Sequence, residues 1–468
     1  MTPEEFRRHG HVVVDLMADY LRDLADRPVW RSVPTERRHT LAAQPLPEDG
    51  LPYDQLLDFT AEHVLPHPFG NGHPRFFGWG NPPPAPEGVL ADLVASAMNP
   101  SCAGGDQAAV HLERCCTRWL AELVSYPGDG VLVSGGAAGA LTALAAARHR
   151  AAIEDGWDDR VDGFAGDRAA RFVLYVSAES HSCQHKAAQV LGLGDRGVRV
   201  VPTDAAGRMD MAALIDAVRA DREAGRRPFC VVASAGVVST GVIDPLQAIA
   251  DVCEQERLWF HVDGSLGGFG ILDPNRRARF AGLERADSLV IDPHKWLSVP
   301  IDCAAVLTRD LNDLRGTFSL VPPYLRSRPG DDPWYSEYVL DQTRPFRALK
   351  LWATIAGVGR AELTRRITGN VKHADRLAEQ IRATPELELA AEPELNIVAF
   401  RHREGGDELN GAIPTAVQQA GDVFLIGTRV NERETIRACF MHYGTTDADV
   451  DRIIPAVLQV AHDLQDSG

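Results

Sequence analysis

The chain has 468 residues, 45% of them hydrophobic, enough for a large core and for two domains or one large domain with an appendage. Its 48 basic against 65 acidic residues leave a net charge of −17, which argues against nucleic acid as a partner and favours solubility. The opening Met1-Thr2-Pro3-Glu4-Glu5-Phe6 is too polar for a signal peptide and no apolar run reaches transmembrane length, so neither export nor a membrane is expected.

Thr2-Pro3-Glu4-Glu5 is a capping box with proline at the first helical position, and Phe6, Val13, Leu16, Met17, Tyr20 and Leu24 follow at helical spacing. An N-terminal helix with one broad apolar face is therefore predicted. The stretch to residue 86 is rich in proline and reads as extended segments around a short helix, with Pro82-Pro83-Pro84 as a rigid loop. Residues 1–86 hold little core of their own and are expected to form a helical and extended arm, packed on the main body or on a second subunit. From 87 to about 310, short apolar strands alternate with helices. The strand candidates are Val131–Val133, Phe172–Val176, Phe229–Ala233, Trp259–Val262, Leu289–Ile291 and Ala304–Leu307. Such alternation implies a largely parallel sheet covered on both faces, with ligands at the carboxyl ends of its strands. Arg326–Asp332 reads as a loop, residues 346–383 as a long helical region, and strands near Asn396–Arg401 and Thr435–Phe440 as a smaller unit. The expected division is 1–86 for the arm, 87–365 for a large ligand-binding domain and 366–468 for a small C-terminal α+β domain. The eight cysteines are scattered, without zinc-type spacing. No metal site is expected, and the thiols suit a reduced, cytoplasmic protein.

The chemistry concentrates at strand ends. Lys295, in Asp292-Pro293-His294-Lys295-Trp296, follows the apolar run Ser288-Leu289-Val290-Ile291, where burial is expected to lower its pKa and supply a neutral amine. Trp259-Phe260-His261-Val262-Asp263 ends in a carboxylate 32 positions earlier (295 − 263). Pyridoxal 5′-phosphate (PLP) requires this pair, a lysine for its aldehyde and an acid that keeps its ring nitrogen protonated. The weaker alternative for Asp263 is a mere cap for Gly264-Ser265. Ser134-Gly135-Gly136-Ala137-Ala138-Gly139-Ala140 joins a strand to an alanine-rich helix and can cradle a phosphate, although tight packing explains such glycines too. His181 can stack on an aromatic cofactor or be an ordinary loop histidine. Ser234 offers a hydroxyl at the same sheet edge, and His294 either positions the phosphate or satisfies a backbone carbonyl.

Taken in order, these segments closely resemble the group II PLP-dependent amino acid decarboxylases, the family of aromatic-L-amino-acid, histidine and glutamate decarboxylases. His73-Pro74-Arg75-Phe76-Phe77, Ser134-Gly135-Gly136, His181-Ser182, His261-Val262-Asp263, Asp292-Pro293-His294-Lys295-Trp296 and Phe346-Arg347-Ala348-Leu349-Lys350 carry the resemblance. It implies an α/β protein of PLP-dependent fold type I (aspartate aminotransferase-like), with a mainly parallel central sheet, an N-terminal helical arm and a small C-terminal α+β domain. It further implies a homodimer with active sites at the interface, acting on an amino acid as its small-molecule substrate. Lys295 would bind the cofactor covalently, Asp263 would meet its ring nitrogen and His181 its ring face. Gly136, Ala137, Ser234 and His294 would surround the phosphate and ring substituents. Pro322-Pro323-Tyr324-Leu325 resembles the family's Pro-x-Tyr-Leu segment and places Tyr324 as the tyrosine that protonates the carbanion left by CO2.

The chain also departs from the family pattern. The phosphate loop lacks its usual hydroxyl, carboxylate and final polar side chain, having Ala137-Ala138-Gly139-Ala140 instead. Trp79, Gly80 and Pro82, with Ser101 and Ala103, replace a more aromatic and bulkier substrate wall, so a roomier or more polar pocket is expected. Asp106 reads either as a carboxylate near the substrate or as the N-cap of the helix after it. The competing activities are oxidative decarboxylation–deamination to an aldehyde, another fold type I reaction, and a weakly active PLP-binding scaffold.

Overall fold

The computed structural model describes residues 1–320 and 333–466. The chain forms two compact units, one of Met1–Trp79, Arg376–Ala390 and Phe400–Gly468, the other of Gly80–Asp375 and Ala391–Ala399.

In the first unit, helix α1 (Pro3–Asp23) begins where the capping box predicts. Thr2 Oγ1 accepts from the Glu5 N–H at 3.2 Å, and Glu5 Oε2 accepts from the Thr2 N–H at 2.7 Å. The expected apolar face is only half satisfied: Val13, Leu16, Met17 and Tyr20 are half-buried, while Phe6 remains exposed. His73-Pro74-Arg75-Phe76-Phe77 docks by its backbone, with the Phe77 N–H donating to the Phe424 carbonyl at 2.9 Å.

The second unit opens with α2 (Pro86–Met98) and α3 (Ala108–Leu123). A seven-stranded sheet follows, its strands joined by crossover helices: β1 (Asp129–Val133), α4 (Gly136–Glu154), β2 (Phe172–Ser177), α5 (Cys183–Val190), β3 (Val198–Val201), α6 (Met211–Glu223), β4 (Arg227–Ser234), α7 (Leu246–Glu256), β5 (Trp259–Asp263), β6 (Ser288–Ile291) and β7 (Ala304–Thr308). The spatial order is β1-β7-β6-β5-β4-β2-β3, and every neighbouring pair is parallel except the two made by β7. β1 and β6 both run against β7, so their carboxyl ends share an edge with those of β2, β4 and β5. Leu174, Val176, Val232 and Val290 are fully buried in the core under α4, as strands covered on both faces must be. α4 lies close because it is built of alanine and glycine: a Cβ on Gly139 would come within 2.8 Å of Val290 Cγ1.

β3 was not predicted from sequence. It is a four-residue edge strand with Val200 exposed, so it lacks the unbroken apolar run that marks its neighbours. The long helical region divides into α8 (Arg347–Val358) and α9 (Arg360–Ala383), broken at Gly359, whose φ of +79° favours glycine. The small antiparallel sheet comprises β8 (Leu387–Leu389), β9 (Ile397–His402), β10 (Ile426–Val430) and β11 (Arg433–Cys439), in the order β10-β11-β9-β8. No helix among the described residues is long and apolar enough to cross a membrane.

Candidate active site

Register brings the chemical residues together. Ser234 at the end of β4 pairs with Asp263 at the end of β5, and Asp263 pairs with Val290 of β6. Beyond β6 the chain turns, with the Lys295 N–H donating to the Asp292 carbonyl at 2.9 Å, and this turn brings Lys295 Nζ to 3.0 Å from Asp292 Oδ2. The Lys295 side chain remains 26% exposed, so its amine is reachable.

The ionisation of Lys295 differs from the sequence expectation. Burial does pull its pKa down, but the carboxylates of Asp292 and Asp263 outweigh burial and raise it above the ordinary lysine value. One carboxylate about 4 Å away contributes about 4 kcal/mol at an effective dielectric of about 20. Desolvation is larger than either carboxylate's contribution alone, but the two together exceed it, so Lys295 is a cation between two acids. Its proton must leave before the amine acts as a nucleophile.

Asp263 is held ionised by a similar balance. Burial raises its carboxyl, but Ser265, through its N–H and the neighbouring hydroxyl dipole, and the charge of Lys295 overcome this and hold it below the usual carboxylate range. Its Oδ1 accepts from the Ser265 N–H at 3.1 Å, the capping contact considered from sequence, and its Oδ2 accepts from Gln184 Nε2 at 3.0 Å. Gln184 was not singled out in the sequence. It stands one helical turn beyond His181, at the start of α5, and the spacing itself is the signal that could have found it.

The cradle forms where β1 passes into α4. Gly136 and Ala137 occupy the first positions of this 19-residue helix, whose leading N–H groups have no intrahelical acceptor. The Gly136 N–H donates to Asp292 Oδ2 at 3.3 Å. A Cβ on Gly136 would come within 2.5 Å of Ser265 Oγ and 3.1 Å of Asp292 Oδ2, so only glycine fits there. His294 satisfies a backbone carbonyl, its Nδ1 lying 2.7 Å from the Cys303 oxygen, and turns its Nε2 to 3.6 Å from Asp292 Oδ2. Burial holds it below the ordinary histidine pKa. His181 is exposed beyond β2, its Nδ1 accepting from the Cys183 N–H at 3.2 Å. Ser234 is buried and donates its N–H to Asp244 Oδ2 at 2.8 Å.

Three buried polar atoms at this edge, Ser265 Oγ, Asp292 Oδ1 and Gln184 Oε1, have no hydrogen-bond partner among the described residues. Buried polar atoms left open are uncommon, and here they surround an amine, a carboxylate and a helix N-terminus. That set fits PLP: an amine for its aldehyde, an anion for its ring nitrogen, and amides with a hydroxyl for its phosphate.

The substrate-wall candidates are placed individually. Trp79 stacks on Phe69, with centroids 5.0 Å apart, inside the first unit. In the second, Gly80 is half-buried, Pro82 buried and Ser101 exposed, while Ala103 accepts from the Ser336 N–H at 3.0 Å. Asp106 is not the N-cap of α3, because Gln107 occupies that position; its carboxylate is exposed, 3.7 Å from His111 Nε2. Tyr324 lies outside the described residues.

Residues 35–403 match the family described as the pyridoxal-dependent decarboxylase conserved domain. The chain belongs to that family. It is 30% identical over 482 residues to the aromatic-L-amino-acid decarboxylase of Bacillus atrophaeus, covering 99% of this chain and 97% of that one. It is 29% identical to the mouse aromatic-L-amino-acid decarboxylase over 454 residues, 93% of each chain. The crystal structure of Oryza sativa TDC with PLP and tryptamine superposes with a TM-score of 0.91 at 27% identity, covering 99% of both chains. The protein is thus a fold type I, PLP-dependent carboxy-lyase that acts on an amino acid.

Proposed function

We propose that this decarboxylase removes the α-carboxylate of an aromatic L-amino acid as CO2 and releases the corresponding amine, with Lys295 binding the cofactor and Asp263 facing its ring nitrogen. The supporting observation is the position of Lys295 Nζ, on Asp292 and beside the ionised, half-buried Asp263, where the carboxyl ends of β5 and β6 meet. The aromatic substrate class rests on the relatives named above.

Bound PLP supplies an electron sink for the bonding pair that the departing carboxylate leaves behind. The chain's own residues do the rest. Asp263 keeps a proton on the ring nitrogen, and Ser265 and Gln184 fix its two oxygens so that it stays ionised. Gly136 and Ala137 at the start of α4, with Ser234 and His294, surround the phosphate and ring substituents. His181 covers the ring face. Lys295, once its proton has left, would hold the cofactor through its Nζ. Tyr324 returns a proton to Cα, a role resting on the resemblance of Pro322-Pro323-Tyr324-Leu325.

A homodimer completes this reading. Val89, Leu90, Leu93, Val94 and Met98 form an exposed apolar stripe along α2, the kind of face that a second copy covers. The cysteines, all free and all buried except Cys115, suit a reducing cytoplasm.

The test incubates the PLP-loaded enzyme with aromatic and acidic L-amino acids and measures CO2, amine, aldehyde and H2O2. CO2 with equal amine from an aromatic substrate is expected; acidic substrates alone would overturn the substrate class. Tyr324→Phe should shift product from amine toward aldehyde, and an unchanged amine yield would remove Tyr324 from the proton step.

A further inference from the structure

Asp292 is the one member of this cluster to which the proposed mechanism gives no task. It is 1% exposed, and among the described residues its ion-pair partners are Lys295 and His294. Its Oδ2 lies 3.3 Å from the Gly136 N–H, 3.0 Å from Lys295 Nζ and 3.6 Å from His294 Nε2, while its Oδ1 has no partner among the described residues. An anion at the N-terminus of a 19-residue helix is a favourable arrangement, and the chain has supplied that anion itself. Ser265 Oγ points to the same spot without a partner. The loop beyond, Ala137-Ala138-Gly139-Ala140, adds no side-chain donor that a phosphate could use instead.

We propose that Asp292 is an internal competitor for the cofactor's phosphate: its carboxylate occupies the first amide of α4, that of Gly136, so phosphate binding must displace it or share that amide with it. This rests on the reading that Lys295 binds PLP at this edge, and it adds a function for a residue that reading leaves idle. A phosphate monoester carries nearly two negative charges at neutral pH, with a second pKa of about 6. Brought against a buried carboxylate it is repelled, and a proton shared between the two relieves the repulsion. PLP should therefore bind with uptake of a proton. The other groups facing Asp292 are shifted away from neutrality. Lys295 is raised, Asp263 lowered, and His294 lowered by burial; His261 is held at about 4 and Cys183 is pushed up to about 12.

The test compares PLP with pyridoxal, which has the same aldehyde and ring but no phosphate, binding to the full-length chain freed of cofactor. Tryptophan fluorescence and visible absorbance report Kd without reference to turnover. Asp292→Asn should tighten PLP at pH 8 by about tenfold or more while changing pyridoxal by less than about threefold. Equal tightening of both ligands would mean that Asp292 acts through Lys295 alone, and no tightening of PLP would mean that it does not compete; either result overturns the proposal. Should the variant not fold, the wild-type chain carries the same test. The preference for PLP over pyridoxal should grow as pH falls from 8 to 6, and a flat or shrinking preference overturns the competition. Loss of the visible absorbance in Lys295→Ala, measured alongside, tests the cofactor assignment separately.

Discussion

The second unit contains two buried ionic clusters, built on opposite principles. Arg344 and Glu113 are 1% and 2% exposed and pair at 2.5 Å. Arg344 also donates to the carbonyls of Cys102 and Leu132 at 2.8 and 2.7 Å, while Glu113 Oε1 accepts from the Leu132 N–H at 3.0 Å. Of the polar side-chain atoms of this pair, Arg344 Nε alone is left without a partner among the described residues. The Lys295–Asp292–Asp263 cluster instead leaves a hydroxyl, a carboxylate oxygen and an amide oxygen open around an amine that reaches solvent. A closed cluster fixes backbone: this one ties α3, the end of β1 and the segment after residue 333 together. An open cluster costs stability and keeps its bonding capacity for a ligand.

Substitutions can break this contrast in either direction. Lys295→Ala should reduce CO2 release by at least about a thousandfold and abolish the visible absorbance of bound PLP, while the melting temperature of the cofactor-free chain changes little. A large loss of stability would make the open cluster structural after all. Arg344→Met should behave oppositely, leaving Glu113 buried and unpaired at a cost of about 3–5 kcal/mol, read from urea midpoints. Little loss would show that the closed cluster does not hold the fold.

A smaller effect comes from His261, which stands between the two kinds of site. It is fully buried, its Nδ1 lies 2.8 Å from Ser288 Oγ, and burial holds its pKa at about 4. The unfolded chain therefore binds a proton below pH 6.5 that the folded chain refuses down to about 4, so stability falls as pH drops through that window. The shift corresponds to about 3 kcal/mol, and His261→Gln should flatten the pH dependence of the urea midpoint between 6.5 and 4 accordingly. His442, also held at about 4, contributes in the same direction and remains in that variant. Smallest is Gln184→Met, which frees one oxygen of Asp263. A roughly tenfold fall in kcat, with a shifted absorbance maximum for bound PLP, would mark Gln184 as a positioning residue. An unchanged spectrum would leave it as packing only.

Much of the fold could be read from sequence for a single physical reason. Strands buried on both faces must be apolar throughout, and β1, β2, β4, β5, β6 and β7 each show such a run. The edge strands β3, β8 and β10 escape detection because a strand with one wet side or three residues has no such run. The strand-end motifs around Asp263 and Lys295 were legible because chemistry at a sheet edge requires particular residue types directly after an apolar run. Gln184 and the Arg344–Glu113 pair were not, since their partners lie 79 and 231 residues away.

Sequence alone determined the family, the alternating α/β pattern and the capped N-terminal helix, and it singled out Lys295 and Asp263 as the candidate lysine and acid for PLP chemistry. These follow from local rules, namely periodicity, caps, and residue type at the end of a strand. Only the tertiary structure decided how those groups are charged. It set two carboxylates against Lys295 and made it a cation where burial alone predicts a neutral amine, and it brought Asp292 to the start of a helix whose first residue lies 156 positions earlier. A pKa is a sum over neighbours in space, and a linear chain does not specify those neighbours until it folds.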